Sequence, residues 1–399
     1  MVAAALCARN SRWTQDYLLR AKDLPELEAL VRANPKNSAA QYHLGKRYYL
    51  ARRFTEARAA YEESVRLDPD WARAHLGLAL ALFEDRELVG AREEFESALR
   101  LDSRLAWAEY MLGKIAWAQG DMQQAVAHVG KSAELDPRSD QAWYGLGACR
   151  TRLRQYDDAI AALRNAVARQ PDDAHYHAAL GELLIYRGTT AEGRTQLERA
   201  LQIDPGSGLA YSLLGKLLAQ SGAGNDLDLA ESLLLRATKA GPPRPGEVWF
   251  DLGQLYIKKG QYAKAVVALR NSIRQEPRDE RVYYALSNAQ RRMGDVRSAD
   301  AAERKFRRLS ALHVNMQELQ ARVSHKPDDA VLQLQLARVY RELGLQKEAI
   351  DRYEDSLRLD PKQSAAAKEL EQLVALYSRN TLGPSDREFS VMLPDHGSK

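Results

Sequence analysis

The sequence of 399 residues has only two cysteines, Cys7 and Cys149, which excludes a disulfide framework. It has no run of eighteen apolar residues, so we expect no membrane span. Its net charge is only +4, too small an imbalance to argue for nucleic-acid binding. The remaining composition, 45% hydrophobic and 28% charged, is typical of a mostly helical protein.

Motifs for phosphate binding and catalysis are also missing. The Gly-Lys-Ser sequence at 130–132 would need a glycine five residues earlier, where this chain has Ala125. His175 and His177 are two residues apart on a predicted helix, which points them to different faces and disfavours metal ligation. No nucleophile stands beside a general base. We therefore expect no catalysis, no cofactor and no metal.

The chain does contain a period of 34 residues. Prolines stand at 35, 69, 137, 171 and 205, and glycines at 45, 113, 147, 181 and 215. Such a period indicates a stack of small units that bury their apolar faces on one another. The segment 38–71 predicts two helices, about 39–51 and 55–67. The small residues Gly45 and Ala57 mark their crossing, and Pro69 ends the second helix.

Two segments, WYGLGACR at 143–150 and WFDLGQLY at 249–256, resemble the first half of the tetratricopeptide repeat signature W-x2-L-G-x2-Y. The resemblance covers about 38–363 in nine repeats, which begin at 38, 72, 106, 140, 174, 208, 246, 280 and 330. It implies an all-α fold, a right-handed α-solenoid superhelix of about nine helix-turn-helix units with capping helices. Positions within a repeat are numbered 1–34 below.

The repeats predict five segments along the chain: an N-terminal segment with a capping helix (1–37), repeats one to eight (38–310), an inserted or extended helix (311–329), the ninth repeat with a C-terminal capping helix (330–378), and a disordered tail (379–399). Asp23 and Pro25 are expected to begin the first capping helix. Repeat eight has Phe306 and Ala311 where a small residue and a proline are expected. Sixteen extra residues follow it, so either one long helix or a separate helix is expected there.

The resemblance implies that the first helices line a concave surface. Positions 2, 5, 9 and 12 share one helix face, which the family places on that surface. In repeats one to four this face is rich in aromatic and basic residues, and we expect Trp107, Tyr110 and Trp117 to be its centre. The candidate peptide-binding residues are Tyr42, Lys46, Tyr49, Arg73, Leu76, Phe83, Trp107, Tyr110, Lys114, Trp117, Tyr144 and Arg152. For any one ring, packing against the neighbouring repeat is the competing interpretation.

Because aromatic residues and arginine dominate binding hot spots, we predict a non-enzymatic scaffold that binds a partly acidic and apolar protein or peptide segment in the concave groove. One alternative is a docking subunit of a larger enzyme or of a secretion or envelope assembly. A less favoured alternative is RNA binding through the basic run at 303–308, whose usual meaning is a solvated helix face. We also expect a homodimer through 296–325.

The first ten residues, MVAAALCARN, are too short an apolar start for a signal peptide. We expect a frayed terminus and, by default, a cytoplasmic location. The alternative is the remnant of a clipped export signal, which would place the chain outside the cytoplasm. A lipoprotein cysteine at Cys7 is disfavoured because Leu6 precedes it.

Overall fold

The computed structural model describes residues 18–221 and 224–380, in which there is no strand. The predicted frayed start and disordered tail lie largely outside these residues. Twenty helices follow one another from Leu24: α1 (Leu24–Ala33), α2 (Ser38–Leu50), α3 (Phe54–Leu67), α4 (Ala72–Glu84), α5 (Leu88–Leu101), α6 (Ala106–Ala118), α7 (Met122–Leu135), α8 (Asp140–Arg152), α9 (Tyr156–Arg169), α10 (Ala174–Tyr186), α11 (Thr190–Ile203), α12 (Gly208–Ser221), α13 (Gly224–Ala240), α14 (Pro245–Lys258), α15 (Tyr262–Gln275), α16 (Glu280–Arg292), α17 (Val296–His325), α18 (Ala330–Leu343), α19 (Gln346–Leu359) and α20 (Ser364–Asn380). The all-α solenoid class is confirmed.

The two helices of a repeat cross where both carry small residues. A Cβ atom added at Gly113 in α6 would lie 2.3 Å from Cγ2 of Val129 and 3.4 Å from the carbonyl oxygen of Ala125 in α7. At Gly147 it would lie 2.8 Å from Leu163 and 3.3 Å from the carbonyl of Ala159. Positions 8 and 20 therefore mark the crossing, as the sequence predicts.

A large apolar side chain at position 24 fills the space beside this crossing. It is at most 4% exposed in eight repeats, where it is Tyr61, Phe95, Val129, Leu163, Leu197, Leu234, Leu269 and Tyr353. In repeat one this side chain also lies beneath the next repeat, since a Cβ atom added at Gly77 in α4 would be 2.4 Å from the Tyr61 ring. Position 24 therefore joins the core of one repeat to the next, and Glu303 in repeat eight is the exception.

A hydrogen bond closes most of the turns between consecutive repeats. Proline ends the second helix, and its carbonyl oxygen then needs a partner outside the helix. The side chain at position 4 of the following first helix bonds it, at 2.8–3.1 Å, in seven repeats. These side chains are Gln41, His75, Trp143, His177, Tyr211, Tyr283 and Gln333. Four residue types serve here because only the N–H or O–H group matters.

The described residues fall into two compact units, one ending at Leu183 and the other beginning at Leu184. In the N-terminal unit, α1 begins as predicted, with Asp23 accepting a hydrogen bond from the Glu26 amide at 3.0 Å and a proline in the first turn. In the C-terminal unit, the extra residues form one continuous 30-residue helix, α17. Of the two expected arrangements, one long helix or a separate helix, the structure therefore contains the long helix.

Replacing Gly113 by alanine would put a Cβ atom 2.3 Å from Val129. We expect the helices to be forced apart and the free energy of unfolding to fall by about 1–3 kcal/mol. The matched control is Gly90→Ala, whose Cβ atom would meet only Leu82, at 3.4 Å. Better helix propensity should keep that variant as stable as the wild type or up to about 1 kcal/mol more stable. Urea unfolding followed by circular dichroism measures both, and equal stabilities would contradict the crossing.

Candidate functional site

Predicted site residues from α4 and α6 contact one another in the N-terminal unit. The Lys114 ammonium lies 5.6 Å from the ring centroid of Phe83 and 6.0 Å from that of Tyr110. The Tyr110 ring stacks on Trp107 with centroids 5.1 Å apart and an interplanar angle of 23°. A cation over aromatic faces is favourable, and more so when water is excluded. These four side chains therefore form one connected aromatic and basic surface.

The same pattern continues from α6 to α8 and α10. The Arg152 guanidinium lies 5.1 Å from the ring centroid of Trp117. The Tyr144 ring stacks on Tyr176 at 4.9 Å and 23°, and the Tyr144 hydroxyl is 2.7 Å from Nε2 of His175. Each first helix thus touches the next through an aromatic ring, and the predicted residues of repeats three and four belong to this series.

Repeat one contributes two rings that contact neighbouring side chains. The Tyr42 ring lies 4.6 Å from Trp71, which directly precedes α4. The Tyr49 ring lies 5.4 Å from Phe54. Burial raises the pKa of the Tyr49 hydroxyl to about 12, and the charge of Glu84 and a hydrogen bond to it act in the same direction. Both rings are half-buried, so they offer an edge to a ligand.

The predicted residues differ in how much of each side chain solvent can reach. Phe83, Trp117 and Tyr144 are more than 90% buried, so neighbouring side chains cover these rings. Trp107, in contrast, is 45% exposed. The other accessible members are the exposed Lys46, Arg73 and Arg152 and the half-buried Tyr42, Tyr49, Leu76, Tyr110 and Lys114. The surface that a ligand can touch is therefore one large indole with smaller aromatic edges and several cations around it.

Three residues join this surface without having been predicted as part of it. His175 stands at position 2 of repeat five, on the predicted face, and that spacing could have found it. The Tyr176 hydroxyl donates a hydrogen bond to the Asp140 carboxylate at 2.7 Å. These residues stand at positions 3 and 1, which are not on the predicted face, so the spacing could not have found them. Their contact arises between consecutive first helices, which the period of one helix does not reveal.

The C-terminal unit has a separate cluster of charges on the same face of its first helices. Lys216 Nζ and Arg244 Nη1 lie 2.9 and 3.1 Å from the two carboxylate oxygens of Glu247. Burial raises the pKa of Asp251 to about 7, against the lowering effect of Lys216 and Arg281. Among the described residues Asp251 has neither a hydrogen bond nor an ion pair within 4.0 Å. Its ionised form is therefore poorly compensated in the folded chain.

The described part of the chain has no helix long and apolar enough to cross a membrane. Within the same residues, no group of three or more histidine, cysteine, aspartate or glutamate side chains could hold a metal ion. Cys149 is buried, and burial raises the pKa of its thiol to about 12. A thiol of that pKa is a poor nucleophile near neutral pH.

Four family models, each described as tetratricopeptide repeat, match the chain. One matches residues 24–70, 44–106 and 178–245, and the others match 116–183, 246–279 and 330–363. Together they span most of the repeats that the 34-residue period identifies.

Among curated proteins, the chain is 23% identical over 269 residues to tetratricopeptide repeat protein 37 of Xenopus laevis, which is 57% of this chain and 16% of that protein. It is 27% identical over 103 residues to the protein CTR9 homolog of Arabidopsis thaliana, 26% of this chain and 9% of that protein. The chain therefore spans less than a fifth of the length of these relatives.

Among solved structures, YrrB is described as a TPR protein with an unusual peptide-binding site. It matches with a TM-score of 0.41 and 20% identity, over 46% of this chain and 95% of that one. PilF of Pseudomonas aeruginosa matches with a TM-score of 0.46 and 20% identity, over 51% of this chain and 91% of that one. Each similarity is limited to about half of this chain.

The raised pKa of Asp251 predicts a pH-dependent stability. A carboxyl group with a higher pKa in the folded than in the unfolded chain costs stability as pH rises from about 4 to about 7. We expect Asp251→Asn to have little effect at pH 4. At pH 8 it should raise the free energy of unfolding by on the order of 2 kcal/mol.

Urea unfolding at the two pH values measures the effect. The control is Asp328→Asn in an exposed turn. This variant should change the free energy of unfolding by the same small amount at both pH values. If Asp251→Asn gained nothing at pH 8, the ionised carboxylate would not be poorly compensated.

Proposed function

The chain belongs to the tetratricopeptide repeat family, and on that premise we propose that it is a non-catalytic scaffold that binds a protein or peptide segment on the first helices of its N-terminal unit. The fold supports a role as a protein–protein interaction scaffold in general. The observation that carries the finer proposal is the connected surface of Trp107, Tyr110, Lys114 and Phe83. A large, partly exposed indole held by its neighbours can bury much ligand area with little loss of conformational entropy.

The chemistry of this surface favours a ligand with apolar side chains and some negative charge. The exposed part of Trp107 suits an apolar side chain of the ligand. Lys46, Arg73, Lys114 and Arg152 lie on the same face of successive first helices and suit acidic groups. Arginine and tryptophan together are typical of the centre of an interface rather than its rim. A partly acidic, partly apolar segment is therefore the proposed ligand.

We also propose two alternative functions, each with its own experimental signature. A docking subunit of a larger enzyme, or of a secretion or envelope assembly, would purify in a stable complex of fixed stoichiometry. RNA binding through 303–308 would show affinity that falls steeply with salt, because phosphate contacts release counterions. A homodimer through 296–325 is compatible with each of these functions.

We expect Trp107→Ala with Tyr110→Ala to weaken capture of the partner from native extract by at least about tenfold, because these rings supply the accessible apolar area. Trp117 is left unchanged because it is buried, so its removal would also disturb packing. The measurement is a pull-down with quantitative mass spectrometry, followed by titration of the purified partner.

The matched control for this pair is Val89→Ala, which removes an exposed apolar side chain from the second helix α5. Circular dichroism should show that all variants keep the wild-type helix content. Equal capture by the wild type and the Trp107 and Tyr110 variant would move the site away from this surface.

A further inference from the structure

Repeat eight differs from the other repeats at three positions of its second helix, α17. At position 24 it has Glu303 in place of a buried apolar side chain. At position 27 it has Phe306, where the other repeats have alanine or serine, at most 2% exposed: Ser64, Ala98, Ser132, Ala166, Ala200, Ala237, Ser272 and Ser356. At position 32 Ala311 replaces the proline that would end the helix. These three changes accompany the extension of α17.

The extension changes the side of the helix on which the next repeat packs. At about 100° per residue, Glu303, Arg307 and Val314 share one face of α17, the face that buries the next first helix in other repeats. Helix α18 packs instead against Leu319 and Val323, with Leu312 and Met316 at the edge of the same cluster. That second face is about 180° from the first. The usual docking face is therefore left open.

The exposure of Tyr284, at position 5 of α16, confirms that this face is uncovered. In repeats one and four the neighbouring repeat lies against the position 5 ring, through Trp71 at Tyr42 and Tyr176 at Tyr144. Tyr284 is 58% exposed, and its ring meets Phe306 of its own repeat at 5.4 Å. An open furrow of about 530 Å³ runs beside it along α17, from Phe306 to Glu318.

The side chains along this part of α17 have a self-complementary order of charge. Ala311 and Glu318 line the furrow, and Arg304 lies beyond its end, seven residues before Ala311. The three residues are spaced by seven and so follow one line along the helix, with Arg307 and Val314 beside it. Glu303 is already bound by Arg291 and Arg307, at 2.8 and 2.6 Å. Arg304 and Glu318, in contrast, have no hydrogen bond or ion pair with any residue in the described ranges. One end of the line is therefore a free cation and the other a free anion.

We propose that this furrow seats α17 of a second copy of the chain, antiparallel, with Ala311 on the two-fold axis. Two-fold symmetry about Ala311 sets Arg304 of each copy opposite Glu318 of the other, whereas a parallel pair would set like charges together. The small Ala311 lets the helices approach closely, and the exposed Val314 becomes covered. The proposal adds an orientation and a register to the homodimer expected through 296–325. It does not depend on ligand binding by the N-terminal unit.

The size of the contact predicts a concentration-dependent dimer. Residues 304–318 span about 21 Å at 1.5 Å per residue. One pair of helices of that length buries less than the roughly 1,600 Å² of a standard stable interface. Sedimentation velocity over a wide range of protein concentration therefore measures the dimer dissociation constant.

A charge exchange tests the proposed register. Arg304→Glu alone and Glu318→Arg alone each place like charges across the axis twice, and each should weaken the dimer on the order of tenfold. The double variant restores opposite charges and should return to the wild-type dissociation constant. Lys347→Glu, an exposed charge on α19, is the control and should leave it unchanged.

Disulfide trapping tests the axis itself. Ala311→Cys should cross-link to its counterpart under mild oxidation, and Lys347→Cys and the wild type, which retains Cys7 and Cys149, should not. The proposal would be overturned if the chain stayed monomeric at all concentrations. It would also be overturned if both single charge variants had the dimer dissociation constant of the wild type. The Trp107 and Tyr110 variant should dimerise like the wild type, so failure of the ligand proposal would be seen separately.

Discussion

The close crossing of two helices within each repeat is the constraint on which the rest of the structure depends. A small residue at position 8 lets the second helix approach, and a large side chain at position 24 fills the space and also lies beneath the next repeat. One interaction thus builds the repeat and attaches its successor. Because eight of the nine repeats bury their apolar faces in this way, no single core is needed for a chain of this length.

The aromatic surface of the N-terminal unit follows from the same stacking. A first helix that is covered on one side by the next repeat has its position 5 ring pressed against that repeat, as with Tyr144 and Tyr176. Other rings of this surface contact the groups that solvent reaches, as Tyr110 stacks on Trp107 and Trp117 lies beneath the Arg152 guanidinium. Where the stacking changes side, at α17, the equivalent ring of Tyr284 is left in solvent. Packing between repeats therefore decides which side chains remain available to a partner.

The helices could be predicted to within about one residue, since 39–51 and 55–67 were expected and α2 and α3 are Ser38–Leu50 and Phe54–Leu67. Proline and glycine mark ends and crossings by local sterics, which sequence displays directly. The continuity of α17 could not be decided, because the absence of a proline at Ala311 permits a helix without requiring one. The burial of Phe83 and Trp117 could not be predicted either, because it depends on the neighbouring repeat. The hydrogen bond between position 4 and the proline carbonyl could not be predicted from the sequence, because four different residue types donate it.

That pairing has a mechanical consequence. When a stack of repeats is bent, most of the deformation occurs at the junction between repeats that has the fewest stabilising contacts. The turn before repeat three has Ser103 in place of proline, and its position 4 residue, Glu109, is bonded to His128 and Lys131 of its own repeat, at 2.7 and 2.5 Å. Elastic strain in the N-terminal unit should therefore concentrate at this joint, next to Trp107, so that a small force there changes the curvature of the surface more than the same force elsewhere.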